Sequence, residues 1–551
     1  MSIDMGGESP VEGIKRSSRL LRGTLVESLA DATTGGLREP DRQLIKFHGS
    51  YQQDDRDLRE ERARQKLEPA WSFMVRTRLP GGVCTPRQWL ALAGLARRYG
   101  NGSLRLTTRQ TVQLHGIVKR DLKATIAAMN AELVDSIAAC GDVNRNVMAS
   151  VNPVESLLHA QVHELARALS EHLRPRTRAY HEIWLDGARV AGTAEAEPLY
   201  GPTYLPRKFK VGIVVPPHND IDVFSQDVGF IAIVEGGRLA GFNLVAGGGL
   251  GMTHGESATF PRLADLIGFL GPERLAEVTE AVLTLQRDFG DRADRKHARL
   301  KYTIADRGLA WFRGELATRL GGDLAPPRPF ILSSQGDRFG WLRGVDGRLH
   351  LTLRIESGRV SGTQLVGLER IADIHTGDFR FTPNQNLVIA NVAAEAVERI
   401  NQLVAAHGLD VALAATPLRR DALACVALPT CPLAMAEAER YLPTILARIE
   451  ERLAKYGLEE LPLSLRLTGC PNGCARPYLA EIGLVGRAPG RYVLRLGGDA
   501  SGQRLNVVYR DNIDETAILE ALDPLFRRYG EQRQQGERFG DFLWRAGVLA
   551  A

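Results

Sequence analysis

Thr468 to Gly486 reads TGCPNGCARPYLAEIGLVG, and Ala424 to Arg440 reads ACVALPTCPLAMAEAER. Together they carry four of the six cysteines, spaced as Cys425-x5-Cys431 and Cys470-x3-Cys474. Two close pairs of thiolates can hold an iron–sulfur cluster. Pro471-Asn472-Gly473, inside the second pair, is a turn signal that folds the backbone tightly around whatever the thiolates hold. Structural zinc is also bound by two cysteine pairs, usually through tighter C-x2-C knuckles, so x5 followed by x3 fits it poorly. Six cysteines in 551 residues form no disulfide framework. Buried inert thiols are the plainest alternative, and Cys84 and Cys140 are read that way. On spacing, the cluster fits best; zinc and inert thiols stay open.

The bulk numbers exclude several classes. A chain of 551 residues is too long for one core and predicts about three structural units. No apolar run approaches a transmembrane length. The opening MSIDMGGESPVEGIKRSS has no apolar signal core, which with the need for reduced thiols points to the cytoplasm. A net charge of +5 is too mild and dispersed for nucleic-acid binding. Residues 1–70 are polar and charge-rich, and composition alone reads them as a solvated arm.

Beyond residue 70 the chain repeats itself. FMVRTRLPGG (Phe73–Gly82), a helical run Pro86–Arg98 and GSLRLTTRQTVQLHGI (Gly102–Ile117) correspond to WLRGVDGRLHLTLRIESGRV (Trp341–Val360), Leu365–Ile374 and GDFRFTPNQNLVIANV (Gly377–Val392). Both units share Gly-x-x-Arg-x-Thr-x-x-Gln: Gly102, Arg105, Thr107, Gln110, and Gly377, Arg380, Thr382, Gln385. A shared pattern at corresponding places argues for internal duplication. Each unit precedes a larger α/β region, 138–337 and 411–551. A pseudo-twofold would bring the basic turn YLPRKFK (Tyr204–Lys210) face to face with the cysteine turn. Helical spacing predicts helices over Val154–Leu173 and over Leu433–Tyr456. The second would start just after Cys431-Pro432 and aim its positive dipole end at the cluster.

These motifs, with FHGSYQQDDRDLREERARQKLEP (Phe47–Pro69), RLPGGV (Arg78–Val83) and VNRNV (Val143–Val147), resemble in order the siroheme- and 4Fe-4S-containing sulfite and nitrite reductases. The arm and its QQDDRD segment resemble the NADPH-linked sulfite-reducing branch. The resemblance implies an α+β, internally duplicated sulfite/nitrite reductase fold with pseudo-twofold symmetry and three domains around a central cofactor site. Its parts would be an arm (1–70), ferredoxin-like halves (71–137 and 338–410), a first α/β siroheme-binding domain (138–337) and a second α/β domain with the cluster (411–551). The arm would be partly wrapped over the body.

By the same resemblance Cys425, Cys431, Cys470 and Cys474 hold the cluster, and Cys474 also ligates the siroheme iron. Arg76, Arg145, Lys208 and Lys210 match the sulfite-binding set. Arg105, Arg109, Gln113, His115, Arg207 and Asn472 match siroheme contacts. Arginine suits such anions because its planar fork donates two parallel bonds, and lysine among other cations can act as a proton donor. The run Asp294 to Lys301 is read either as further carboxylate contacts or as a solvated helix face. Gly247 to His254 is glycine-rich but lacks the third glycine of the dinucleotide fingerprint, so electrons must come from a partner, a FAD/FMN flavoprotein that oxidises NADPH or a ferredoxin. The expected reaction is six-electron reduction of sulfite to sulfide in sulfate assimilation and cysteine biosynthesis. Nitrite reduction to ammonia is the first alternative, and a non-catalytic Fe–S or zinc module the second.

Overall fold

The computed structural model describes residues 7–151, 157–188 and 195–549. Among the described residues, four five-stranded sheets form two pairs of like topology. The first pair comes from the repeated units. One sheet runs Ser50–Asp54, Trp71–Arg76, Val112–Ile117, Ser103–Leu106, Arg359–Ser361; the other runs Gly340–Arg343, Leu349–Leu353, Leu387–Val392, Asp378–Phe381, Val83–Cys84. Each sheet therefore ends on a strand lent by the other unit. Arg359 pairs with Arg105, and Cys84 pairs with Phe379, all antiparallel.

The exchange is fixed by backbone crowding at equivalent positions. A side chain at Gly82 would lie 2.7 Å from Phe381 O, and one at Gly358 would lie 2.3 Å from Leu106 O. Both glycines have positive φ, as do the equivalent Gln110 and Gln385. Helices Pro86–Arg98 and Gly362–Ile374 pack against each other and on the first sheet, the former also touching strand Asp378–Phe381 of the second and opened by a Thr85–Gln88 capping box.

The second pair of sheets belongs to the larger regions. Met148–Ala149, Val211–Val214 and Val228–Glu235 are parallel and continue into antiparallel Arg238–Ala246 and Asp265–Leu270. Leu423–Ala424, Leu465–Thr468 and Ile482–Ala488 are likewise parallel and continue into antiparallel Arg491–Leu496 and Val507–Ile513. The last region has a core of its own, including Ile445, Leu465, Leu484 and Phe526.

Much of the arm is packed on the body, while helix Arg59–Arg64 stays outside with no buried residue. Its strand Ser50–Asp54 completes the first sheet against Trp71–Arg76, and Leu21, Leu25, Leu44, Ile45 and Phe47 join the main core. Its apolar residues are too sparse to show a period, yet they are buried because a sheet edge awaits them.

The helix expected over Val154–Leu173 is present as Leu157–His172; residues 152–156 lie outside the described residues. The helix expected over Leu433–Tyr456 begins only at Leu442, with Pro443 in its first turn, and runs to Lys455. The intervening amides are taken elsewhere: Met435 and Ala436 donate to Gly469 O at 2.7 and 3.0 Å. The dipole of that helix therefore does not start at Cys431. The run Asp294 to Arg299 is no helix face either. It is a loop leading into helix Leu300–Arg307; Arg295 and Arg299 turn inward, and Lys296 stays exposed.

Candidate functional site

The cysteine turn follows strand Leu465–Thr468, and Cys425 follows the parallel strand Leu423–Ala424, so two adjacent strand ends deliver thiols to one place. Thr468 Oγ1 and Gly469 N donate to Cys425 Sγ at 3.4 and 3.3 Å. The amides of Leu433 and Ala434 face the sulfur of Cys431, and the amide of Asn472 faces that of Cys470. Donors aimed at sulfur stabilise thiolate charge and tune a cluster held there. Burial, then the neighbouring Cys474, raises the thiol pKa of Cys425, Cys431 and Cys470, that of Cys431 to about 12. The four sulfurs thus see one another. Among the described residues no three His, Cys, Asp or Glu side chains converge as ligands of one ion would. Zinc would draw its sulfurs to roughly 3.8 Å from each other, whereas a cubane keeps its thiolates further apart.

Opposite this turn lies the basic end. Arg76 stands on the strand Trp71–Arg76, and its Nη1 donates to Cys140 Sγ at 3.3 Å. Burial works against its charge, but Cys140, Tyr51 and Cys474 more than offset it. With the Gln113 carboxamide oriented to present its oxygen, that oxygen accepts from Arg76 Nε and Nη2 at 3.2 and 2.5 Å. The amide nitrogen then faces His115 Nε2 at 3.3 Å, and His115 Nδ1 meets Gln53 Oε1 at 3.2 Å. Burial, reinforced by Arg359, Arg105 and Arg76, lowers the pKa of His115 well below its ordinary value, which keeps the ring neutral as this chain of bonds requires.

Arg145 anchors Nε on Gly141 O at 2.9 Å and Nη1 on Ala139 O at 3.2 Å. Arg109 is fixed by Asn146 O, Val211 O and Gln226 Oε1 at 2.7 to 3.1 Å. Arg207, Lys208 and Lys210 complete the group, half-buried at the entry to strand Val211–Val214. Lys208 and Lys210 are two apart, so an extended chain turns them to one side.

The electrostatics of this group are one-sided. Burial, with Arg207 and Arg299 behind it, lowers Lys208 to about 7. Lys210 is lowered well below its ordinary value by burial, Lys208 and Arg109. Arg109 falls to about 9 through burial and Arg145, and Arg207 to about 10 through burial and Arg295. The carboxylates that pair with cations here are Asp227, bound by Arg299 at 2.8 and 3.0 Å, and Asp142, bound by Arg295 at 2.6 and 2.8 Å. Positive charge so crowded is stable only beside anions.

A glycine loop joins the two ends. Met252 N donates to Pro471 O at 2.9 Å, and a side chain at Gly251 would meet Asn472 O at 3.0 Å. Lys301 Nζ caps the carbonyls of Gly249 and Gly251 at 3.0 and 2.8 Å. The basic run thus braces the site's backbone through Arg295, Arg299 and Lys301, and Lys296 pairs with Glu256 at the surface.

Arg105 gives Nε to Glu439 at 2.9 Å and Nη2 to Ala424 O at 3.0 Å, which puts it at the cysteine end. Cys140, read as inert, contacts Arg76. Cys84 is buried in the lent strand opposite Phe379, where burial raises its pKa and leaves it a thiol. Asp142, Asp227, Gln226 and Glu439 went unnoticed in the sequence. VNRNV, which directly follows Asp142, and ACVALPTCPLAMAEAER, which contains Glu439, marked the surroundings of these two.

The donor set fits a 4Fe-4S cluster and an anionic macrocycle. Four mutually facing thiols with amide donors suit the first, and a walled surplus of cations beside Cys474 suits the second.

Comparison with known proteins agrees. The nitrite/sulfite reductase ferredoxin-like half domain matches residues 68–132 and again 343–407. The nitrite and sulphite reductase 4Fe-4S domain matches residues 165–324. The sulfite reductase (NADPH) hemoprotein beta-component of Myxococcus xanthus is 63% identical over 98% of this chain and 96% of that protein. Its namesake in Shouchella clausii is 55% identical over 99% and 96%. The structure of the NirA protein of Mycobacterium tuberculosis shares the fold, with a TM-score of 0.79 and 24% identity over 96% of this chain and 94% of that one. With its duplicated halves, its facing thiols and these relatives, the chain belongs to the siroheme- and 4Fe-4S-containing nitrite and sulfite reductase family.

Proposed function

We propose that the protein is the haem-bearing component of an assimilatory sulfite reductase, reducing sulfite to sulfide with six electrons. The observation that carries this is the juxtaposition of the facing thiols with the cation group through Cys474, which influences both Arg76 and Lys208. Cys425, Cys431, Cys470 and Cys474 would hold the cluster. Arg109, Gln113, His115, Arg207 and Asn472 would hold the siroheme, Cys474 serving both groups, while Arg105 braces the carbonyl next to Cys425. The bound cofactors supply electron transfer and a site for sulfur to bind, chemistry no side chain offers.

The chain's own residues do the rest. Arg76 and Arg145, each anchored on one side, present charge to the oxyanion. Each sulfur–oxygen bond cleaved releases oxygen as water and consumes protons. Lys208, lowered to about 7, is poised to give one and be recharged near neutral pH. An anion in the group raises the lysines again, so binding loads the proton that the reaction uses.

Electrons come from a partner. The hemoprotein component named in the relatives implies a flavoprotein that oxidises NADPH, and a ferredoxin is the second reading. No helix among the described residues is long and apolar enough to cross a membrane. Reduced thiols suit the cytoplasm. The working division is the one drawn from the sequence: arm 1–70, halves 71–137 and 338–410, and regions 138–337 and 411–551.

The test is the visible spectrum and iron and sulfide content of the purified protein, followed by sulfite and nitrite turnover. A coloured protein that favours sulfite by kcat/KM supports the reading. A colourless zinc protein, or a preference for nitrite, overturns it.

A further inference from the structure

Tyr204, Leu205 and Pro206 lead directly into Arg207, Lys208 and Lys210, and each of their successive carbonyls accepts from a different cation. Arg292 Nη2 reaches Tyr204 O at 2.7 Å, Lys15 Nζ reaches Leu205 O at 2.8 Å, and Arg295 Nη1 reaches Pro206 O at 3.3 Å. Two carboxylates tie these cations together. Glu12 binds Lys15 and Arg292, each at 2.5 Å. Asp142 binds Arg295 through both oxygens and lies 3.7 Å from Lys15, while its carbonyl accepts from Leu205 N at 3.1 Å.

Lys15 and Glu12 belong to the helix Pro10–Ser17, yet they are 0% and 1% exposed. Taking such charges out of water is unfavourable, and an apolar plug would seat the same helix at lower cost. The segment they clamp does need holding. Tyr204 has φ +55°, a left-handed conformation costly for an aromatic residue. Phe209, just beyond, pairs with the chain that carries Arg145: Arg145 N donates to Phe209 O at 2.9 Å and Phe209 N to Val143 O at 3.1 Å. A slip of the clamp would therefore move both lysines and the backbone of Arg145.

We propose that the N-terminal helix is a positioning element of the active site: Lys15, supported by Glu12 and Arg292, fixes the backbone at Tyr204–Pro206 and so aims Lys208 and Lys210 at sulfite. This rests on the reading of those two lysines as substrate-facing.

The test uses the full chain loaded with its cofactors and reduced methyl viologen as donor. Lys15→Met should keep the visible spectrum and lower kcat on sulfite roughly tenfold, the usual scale for losing an oriented charged group. In a Lys208→Ala, Lys210→Ala double background the same substitution should add little, because both residues it acts through are gone. Parental kinetics in Lys15→Met, or an equal loss in both backgrounds, overturns the inference. Should Lys15→Met fail to fold, Arg292→Gln leaves the helix in place, releases Tyr204 O, and is judged by the same two comparisons. If Lys208→Ala and Lys210→Ala themselves keep parental sulfite kinetics, the site assignment falls. If only the Lys15 and Arg292 variants do so, the positioning role alone falls.

Discussion

Arg145 donates its backbone N–H at 2.9 Å to the carbonyl of Phe209, the residue that separates Lys208 from Lys210. Residues distant in the sequence thereby share one short stretch of parallel pairing, with Asn144 bridged to Phe209. This pairing holds Arg145 next to both lysines; in the proposed division Arg76 and Arg145 bind the anion, and Lys208 and Lys210 supply protons.

Arg145→Ala should weaken sulfite capture. Its guanidinium is anchored on the Gly141 and Ala139 carbonyls, which hold it in one orientation. The expected rise in KM is about ten- to hundredfold, with cofactor content unchanged. Steady-state kinetics with reduced methyl viologen would check it; an unchanged KM would place the anion elsewhere.

Lys210→Ala should act on turnover more than on binding. Its amide is fixed by Asp227 Oδ2 at 2.9 Å, so the backbone stays in place when the side chain is removed. Proton supply should then lag behind electron supply, lowering kcat by about ten- to hundredfold and releasing partly reduced sulfur species. Product analysis would detect them.

Cys474→Ser should lose normal haem ligation and sulfite reduction together, because one thiolate is assigned to both cofactors. Spectra and activity of the purified variant decide this, and full activity would end the bridging assignment.

NADPH alone should give no turnover, since Gly247 to His254 fails as a nucleotide loop and instead packs on the cysteine turn through Met252 and Pro471. Reduced methyl viologen should support turnover in the same preparation. Appreciable NADPH oxidation by the pure chain would reveal a site absent from this account.

Glu197→Gln should flatten the pH dependence of stability. Burial raises this carboxyl from 4.5 to about 7, against the opposing pull of the Arg176 amide. The folded protein therefore holds a proton that the unfolded chain has lost between those values. The stabilisation is complete below about 4.5 and disappears as pH rises through 7. The amide variant should be the more stable above pH 7, by on the order of 3 kcal/mol at most. Urea melts at pH 5 and pH 8 would measure it.

Much of the cofactor chemistry was legible in the chain because it is local. A thiolate pair around Pro471-Asn472-Gly473 needs only a turn, and Lys208 and Lys210 share a side because an extended chain alternates. The duplication was legible in the shared Gly-x-x-Arg-x-Thr-x-x-Gln pattern; the structure adds that Gly82 with Gln110 and Gly358 with Gln385 repeat the same crowded, positive-φ geometry in each half. Those constraints are written into residue type.

The tertiary structure decided what depends on distant partners. It lent Val83–Cys84 and Arg359–Ser361 to opposite sheets, gave Arg105 to Glu439, and brought Cys140 to Arg76. It delayed the helix after Cys431 to Leu442, because the carbonyl of Gly469 claims two of the amides that precede it. It turned a charged arm into a buried clamp on Leu205. Periodicity and spacing report which face of an element is apolar and which ligands lie close in sequence. They carry no record of which distant carbonyl or carboxylate a buried cation will meet, and that pairing is what makes burying the cation tolerable.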